Sequence, residues 1–212
     1  MIEIFPDSIH IVVAKRGYGK SIMVNYLLYH LIRNKLIDVL FVFTNTPEDY
    51  NLDSKAHMFE NGFDEDIAAR IIKHQQEQKK KLGKAKLKHI LLVLDDIENS
   101  SSDARQSKAL NTIALRGRHL NIGCIVSTQY YTQLHPKVRN NCDYLFIGRN
   151  GSVQLADMFK IQTIFDNETQ FRQFVNRTTT DHRFILLNNK TDDRKPRVIK
   201  AKRLNVQFKM KK

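Results

Sequence analysis

The sequence predicts an α/β fold in which a doubly wound, mostly parallel β-sheet carries helices on both faces. Short runs of β-branched and other apolar residues recur along the chain, which is typical of strands that are buried on both sides. Segments with helical spacing alternate with these runs, as they do in successive β-α-β units. The 212 residues are enough for one domain with a substantial core.

Six runs have the length and composition of strands. Each is nearly continuous in apolar residues rather than alternating, which favours parallel strands that helices cover on both sides. The six runs are residues 9–13, 39–43, 90–94, 124–127, 144–147 and 184–187.

Five segments have the apolar spacing of helices. In the first, Val24, Leu27, Leu28 and Leu31 recur at the i, i+3, i+4 and i+7 positions of one helix face. The third is expected to start at about Asp103, a suitable N-cap with a glutamine three residues later. The predicted helices span residues 20–34, about 64–80, about 103–114, 153–159 and 168–175.

The charge balance points to a polyanionic partner. Lysine and arginine number 35 against 22 acidic residues, a formal net charge of +13. This excess favours nucleic acid over a membrane surface, because no basic amphipathic helix with an aromatic face stands out. Residues 79–88 are predicted to form an exposed basic loop after a helix.

The carboxyl end of the chain differs from the rest. Residues 194–212 carry nine basic residues and no acid. Within them Leu204, Val206, Phe208 and Met210 alternate with polar residues, so part of this segment is expected to form an edge strand. We therefore divide the chain into one folded domain, residues 1–190, and a basic tail, residues 191–212.

Several features bear on the cellular compartment. The opening stretch MIEIFPDSIHIVV has no basic residue ahead of its apolar run, so we expect a strand rather than a signal peptide. No apolar run approaches the ~18 residues of a membrane helix, so we expect no membrane segment in this chain. Cys124 and Cys142 form no C-x-x-C pattern, which favours a reducing compartment and no metal site built on cysteine.

The stretch AKRGYGKS nearly matches the phosphate-binding P-loop pattern G-x-x-x-x-G-K-[ST], with Ala14 in the place of the first glycine. In such a loop, backbone N–H groups wrap a phosphate at the start of a helix. Lys20 would reach the β- and γ-phosphate oxygens, and Ser21 would offer its hydroxyl to Mg²⁺. Alanine is the least disruptive replacement if its φ stays negative. The predicted nucleotide-contacting residues are Ala14, Lys15, Arg16, Gly17, Tyr18, Gly19, Lys20 and Ser21.

The third apolar run ends in two carboxylates, Asp95 and Asp96. In a P-loop NTPase the first acid after such a strand holds Mg²⁺ through water, and an adjacent acid can deprotonate the attacking water. We therefore assign the metal site to Ser21 and Asp95 and the general base to Asp96. Glu98, two residues further on, is the alternative base.

Three more residues are candidates for catalysis. Gln129 falls just past the next predicted strand, at the sheet edge where ligands bind in open α/β folds, and could contact the γ-phosphate or the attacking water. Arg116 and Arg118 end the third predicted helix. They are either solvated cations that suit a helix C-terminus or arginine fingers for the ATP of a neighbouring subunit.

The stretches AKRGYGKS, LLVLDD and LRGRHLNIGCIVSTQ, in this order, resemble the motifs of the FtsK/HerA superfamily of DNA-pumping ATPases. More specifically they resemble the DNA-packaging ATPases of poxviruses, other large eukaryotic DNA viruses and virophages. The Asp-Asp pair, the R-G-R-H-x-N-I phrase and the small size favour this viral branch. The resemblance covers residues 8–149. It implies a RecA-like P-loop NTPase sheet in which the Gln129 strand lies between the P-loop strand and the Asp95 strand.

The resemblance also implies an activity. The chain would use ATP and Mg²⁺ to move double-stranded DNA into a preformed capsid, as a homo-oligomeric ring of about five or six subunits. Its basic segments would contact DNA regardless of sequence. Capsid components would be further partners, and the cytoplasm of the infected host cell or the virion would be its location.

Four other functions compete with this one. The same kind of motor could move DNA in conjugation or segregation. A GTPase could read guanine with the N-K-x-D motif that runs from Asn189 to Asp192. A small-molecule P-loop kinase and a non-enzymatic nucleic-acid-binding protein complete the alternatives.

Overall fold

One β-sheet forms the centre of the protein. The computed structural model describes residues 4–50, 52, 56–60, 62–95, 106–160, 164–191 and 195–204. The strands in these ranges are β1 (Ile9–Val13), β2 (Val39–Phe43), β3 (His57–Phe59), β4 (Ile90–Leu94), β5 (Ile122–Thr128), β6 (Tyr144–Ile147), β7 (Arg183–Asn188) and β8 (Arg197–Lys200).

The strand order is β3-β2-β4-β5-β1-β6-β7-β8. The pairs among β1 to β6 are all parallel, whereas β7 runs antiparallel to β6 and β8 antiparallel to β7. The predicted mostly parallel α/β fold is therefore confirmed. The order also confirms the implied insertion of β5, the strand before Gln129, between β1 and β4.

Helices cover both faces of the sheet, as predicted. The first, α1, packs on one face, and the other five pack on the opposite face. None of the described helices is long and apolar enough to cross a membrane. The helices are α1 (Lys20–Arg33), α2 (Glu65–Leu82), α3 (Lys108–Arg116), α4 (Pro136–Asn140), α5 (Ser152–Phe159) and α6 (Glu168–Thr178).

The apolar strands are continuous because both of their faces are buried. In β1, Ile11 and Val13 belong to the core under α2 to α6, while Val12 belongs to the core under α1. All three side chains are fully buried. Burying each such side chain stabilises the fold by about 1.5–3 kcal/mol. This core holds the strand ends on which the site described below is built.

The predicted bounds of β1, β2, β4 and β6 agree with the structure, while β5 and β7 are longer than predicted at both ends. Neither β3 nor α4, which have three and five residues, was predicted from the sequence. The predicted start of α3 was wrong. Ser107 caps this helix by accepting a hydrogen bond from the Leu110 N–H at 2.8 Å, and Asp103 lies outside the described residues.

The two basic segments also differ from the predictions. The helix α2 continues to Leu82, so residues 79–82 are helical, and the predicted loop begins only at Gly83 with its φ of 77°. An edge strand does form in the basic tail, but it is β8, which lies before the alternating residues 204–210. The sheet therefore extends beyond residue 190, and residues 205–212 lie outside the described part of the chain.

A buried glutamine attaches α2 to the two strands that lead to the site. Gln75 is 2% exposed, and its side-chain N–H groups donate to the Lys88 carbonyl at 2.9 Å and the Leu120 carbonyl at 2.7 Å. These carbonyls lie just before β4 and β5. The contact therefore sets the positions of both strands at their amino ends.

We expect Gln75→Ala to lower the free energy of unfolding by about 1–3 kcal/mol, because it leaves two carbonyl groups without their donor. Gln76→Ala is the matched control, since Gln76 is exposed on the same helix. It should change stability by less than about 0.5 kcal/mol. Urea unfolding monitored by circular dichroism measures both values, and equal effects of the two substitutions would contradict the assigned role.

Candidate nucleotide-binding site

The loop between β1 and α1, residues 14–19, is attached to the two strands beside β1. The Ala14 N–H donates to the Thr128 carbonyl at 3.3 Å, and the Lys15 N–H donates to the Arg149 carbonyl at 2.9 Å. Gly19 ends the loop with a φ of 92° and places no side chain over the start of α1. The first N–H groups of α1 thus have no side-chain cap, which suits them to bind an anion.

Ala14 is accommodated by a glycine on the neighbouring strand. Its φ is not positive, as the sequence interpretation required, and its methyl group is fully buried. A Cβ atom added to Gly148, at the end of β6, would lie 2.7 Å from the Ala14 Cβ. The methyl group of Ala14 therefore fills space that Gly148 leaves free. Gly17, with a φ of 73°, adopts the left-handed backbone that glycine favours.

Tyr18 attaches the loop to the segment between α6 and β7. Its hydroxyl donates to the Thr179 carbonyl at 2.7 Å and lies 3.1 Å from the Arg183 carbonyl. Burial raises the pKa of the phenol above its ordinary value, so the hydroxyl remains a donor. The side chain is only 6% exposed. The side chain is therefore packed inside the protein, and the predicted contact of Tyr18 with a nucleotide stays a prediction for its backbone.

The last residues of the motif lie in the first turn of α1. Lys20 is 7% exposed and Ser21 is half-buried. The Asn25 side chain donates to the Ser21 carbonyl at 3.0 Å and to the Asp49 carbonyl at 2.8 Å, which ties this turn to the segment after β2. Lys15 and Arg16, earlier in the loop, are exposed.

A buried carboxylate follows β4. Asp95 is 3% exposed, and its Oδ1 accepts a hydrogen bond from the hydroxyl of Ser127 on β5. Ser127 was not among the predicted residues, although it stands in the S-T-Q phrase. Asp96 and Glu98, the two candidates for the general base, lie outside the described residues.

The oxygen atoms near the loop are suitable for Mg²⁺. Ser21 supplies a hydroxyl and Asp95 a carboxylate, and Mg²⁺ prefers oxygen ligands, few of them from protein, together with water and phosphate. Gln129 follows β5 at the same sheet edge and is half-buried. The register pairs Val13 with Thr128, so the loop and Gln129 leave the sheet side by side.

The two predicted arginine fingers lie at the amino ends of the parallel strands, opposite the carboxyl ends that carry the loop. Arg116 ends α3 and Arg118 lies in the turn before β5, and both are exposed. Gly117 between them is buried, and a Cβ atom there would lie 2.5 Å from the Ile122 carbonyl oxygen. From Ile122 to Thr128 the strand spans about 20 Å, which exceeds the length of an arginine side chain. Neither arginine therefore reaches the loop of its own chain.

Arg118 also lines a cavity of about 510 Å³ at these amino ends, together with Arg139, Asp143 and Lys190. Burial raises the pKa of the Asp143 carboxyl, which accepts a hydrogen bond from the Ile9 N–H at 2.8 Å. The cavity is thus lined mostly by uncharged residues, together with three cations and two carboxylates, and it lies away from the phosphate loop.

The N-K-x-D motif lies at the amino ends of the parallel strands as well. The Asn189 side chain donates to the Cys142 carbonyl at 2.9 Å, and the Lys190 ammonium donates to the Ser8 hydroxyl at 3.2 Å. Cys142 precedes β6 and Ser8 precedes β1, so both partners lie at the amino ends of these strands, whereas the phosphate loop follows the carboxyl end of β1. The guanine-reading interpretation is therefore not supported, and Asp192 lies outside the described residues.

Residues 7–190 match the family model described as Poxvirus A32 protein. The chain is 26% identical over 189 residues to uncharacterized protein 075L of Invertebrate iridescent virus 6, covering 86% of this chain and 71% of that protein. It is 24% identical over 193 residues to uncharacterized protein L437 of Acanthamoeba polyphaga mimivirus, covering 85% and 66%. The chain thus spans about two thirds of the length of these relatives.

Solved structures share the fold. The genome packaging NTPase B204 from Sulfolobus turreted icosahedral virus 2, in complex with ATP-gammaS, aligns with a TM-score of 0.66 and 15% identity, covering 92% of this chain and 98% of that one. EssC (ATPases 2 and 3) from Geobacillus thermodenitrificans aligns with a TM-score of 0.61 and 18% identity, covering 86% and 38%.

The fit between Ala14 and Gly148 can be tested by stability. We expect Gly148→Ala to lower the free energy of unfolding by about 1–3 kcal/mol, because its Cβ would overlap Ala14, Tyr18 and Phe184. Adding Ala14→Gly should restore part of the loss, since it removes one of these three contacts. The control is Gly151→Ala, where no atom lies within 4 Å of the new Cβ. Thermal or urea unfolding measures the series, and no recovery in the double variant would contradict the fit.

Proposed function

The chain belongs to the poxvirus A32 protein family, and we propose that it is an ATPase that packages double-stranded viral DNA. One observation carries this proposal. The phosphate loop, Asp95 and Gln129 lie together at one edge of β1, β4 and β5, in a fold that a genome packaging NTPase shares. The viral relatives favour packaging over DNA movement in conjugation or segregation.

The loop and the start of α1 would hold the phosphates of ATP. The N–H groups in the first turn of α1, which no side chain caps, would face the β-phosphate, and Lys20 would neutralise the β- and γ-phosphate oxygens. Ser21 and Asp95 would hold Mg²⁺, Asp95 through water, and the hydroxyl of Ser127 keeps the Asp95 carboxylate in position. The metal supplies charge neutralisation at the transferring phosphoryl group.

The remaining chemistry is the activation of water. Gln129, which leaves the sheet beside the loop, would contact the attacking water or the γ-phosphate. Asp96 is assigned as the general base, with Glu98 as the alternative, since both follow Asp95 directly in the chain. The reaction would transfer the γ-phosphoryl group to water and release ADP and phosphate.

The position of the arginines supports an oligomeric motor. Arg116 and Arg118 lie about 20 Å from their own phosphate loop, measured along β5, so an arginine finger among them would serve the site of another subunit. A ring of about five or six subunits would place one of them at each neighbouring site, where its guanidinium stabilises the transition state.

The basic segments would contact DNA. Lys80, Lys81, Lys84 and Lys86 are exposed at the end of α2 and in the turn that follows, and a net charge of +13 favours phosphate contacts that do not depend on sequence. Capsid components are proposed as further partners. The proposed location is the cytoplasm of the infected host cell or the virion.

The experiment that tests this function is ATP hydrolysis with and without double-stranded DNA across a salt series. We expect DNA to stimulate hydrolysis and the stimulation to fall steeply between about 50 and 200 mM salt, as phosphate contacts do. Lys20→Ala should abolish hydrolysis while circular dichroism shows an intact fold. Turnover by Lys20→Ala equal to that of the wild type would contradict the ATPase, and absence of DNA stimulation at low salt would contradict the motor.

Mixing two inactive variants tests whether the arginine acts between subunits. We expect Arg116→Ala or Arg118→Ala to be inactive alone, because the transition state loses its cation. In an equal mixture with Lys20→Ala, about a quarter of the interfaces would join an intact Lys20 to an intact arginine and recover hydrolysis. Full activity of both arginine variants alone, or no recovery at any ratio, would rule out the shared site.

A further inference from the structure

A turn that no sequence motif predicted packs against the phosphate loop. Residues 179–182 connect α6 to β7 and lie beside the end of the loop. The Nδ1 atom of His182 is 3.0 Å from the Tyr18 carbonyl oxygen. It also lies 3.6 Å from the position that a Cβ atom of Gly19 would occupy. The imidazole thus borders the residues that immediately precede Lys20.

The contact with Tyr18 defines the hydrogen-bonding capacity of the imidazole. A carbonyl oxygen only accepts hydrogen bonds, so Nδ1 must carry the proton and donate to it. In the neutral ring the other nitrogen, Nε2, is then an acceptor. The side chain of His182 is exposed, and no described residue bonds to Nε2.

The turn is held in one conformation. Asp181 and His182 both have left-handed backbones, with φ values of 53° and 54°, a conformation in which aspartate and histidine are enriched. The buried Tyr18 hydroxyl donates to the Thr179 carbonyl before them and lies 3.1 Å from the Arg183 carbonyl after them. Asp181 pairs with Lys200 of β8, and the hydrogen bond from this lysine lowers the pKa of the Asp181 carboxyl. The imidazole is therefore pre-positioned beside the loop.

The place of the turn in the sheet decides which part of a nucleotide it meets. Asp95 and Gln129 follow β4 and β5, which lie on one side of β1. The turn precedes β7, which lies on the other side of β1, beyond β6. A nucleotide with its β-phosphate on the loop and its γ-phosphate toward Asp95 therefore extends its nucleoside toward the turn.

We propose that His182 binds the nucleoside of ATP, with Nε2 accepting a hydrogen bond from a donor on the ribose or from the 6-amino group of adenine. The inference rests on the proposed function and extends it from the phosphates to the nucleoside. It makes His182 a residue that contributes to affinity and to the choice of nucleotide, without a part in the cleavage step.

His182→Asn separates nucleoside binding from support of the loop. Asparagine tolerates the left-handed backbone and can keep a donor toward the Tyr18 carbonyl, but it lacks Nε2. We expect its affinity for ATP, measured by calorimetry with Mg²⁺, to fall about three- to tenfold, the worth of one hydrogen bond. Its affinity for inorganic tripolyphosphate should not change, because this probe has phosphates and no nucleoside.

Two further probes identify the donor. Dideoxy-ATP lacks both ribose hydroxyls, and inosine triphosphate has an oxygen in place of the 6-amino group. The wild type should bind one of them more weakly than ATP, and His182→Asn should lose this difference. His74→Asn, at an exposed histidine on α2, is the control and should bind every probe as the wild type does.

Each other outcome overturns the inference. Equal weakening of ATP and tripolyphosphate would show that His182 only supports the loop, and unchanged ATP binding would show that it contributes nothing. In both cases the wild type still binds and hydrolyses ATP, so the proposed function stands. A wild type that binds neither ATP nor tripolyphosphate would overturn the proposed function together with the inference.

Discussion

The site depends on the pairing of β5 between β1 and β4. All seven residues of β5 are buried, and the strand bonds in parallel to both neighbours. Its register places Ser127 level with Val12 of β1, one residue before the loop strand ends, and beside the carboxylate of Asp95. A shift of one residue would turn every side chain of β5 to the other face. It would also break the contact of the Ser127 hydroxyl with Asp95, so core packing and this contact at the candidate metal site depend on the same register.

The phosphate loop depends on contacts from distant parts of the chain. Backbone carbonyls at the ends of β5 and β6 accept its first N–H groups, and Tyr18 fastens its end to the turn before β7. The packing of Ala14 against Gly148 is part of the same arrangement, because there is room for little side-chain volume where these two strands end. A loop fixed in this way has its N–H groups oriented before a phosphate arrives, which reduces the entropy lost on binding.

The sequence predicted those features that are local or that result from burial. Runs such as β1 and β4 were placed correctly because a strand covered on both faces must be apolar throughout. The three-residue β3 was missed because its pairing with β2 provides the signal and its own residues do not. The start of α3 was wrong because serine and aspartate cap equally well and spacing cannot choose between them. His182 has no motif, since its contact joins residues 164 positions apart in the chain.

The carboxyl ends and the amino ends of the parallel strands carry different functional groups, and this difference bears on how copies of the chain would assemble in the proposed motor. The phosphate loop and Asp95 lie at the carboxyl ends of these strands, and Arg118 lies at the amino ends. A two-fold dimer joins identical surfaces, so a two-fold contact centred on the carboxyl ends would bring loop to loop, and one centred on the amino ends would bring arginine to arginine. A head-to-tail contact places an arginine of one subunit at the phosphates of the next, and it leaves one phosphate loop and one arginine of the pair available to further copies. Repeating that contact until it closes would give the proposed ring, in which every phosphate loop has an arginine of the neighbouring subunit beside it.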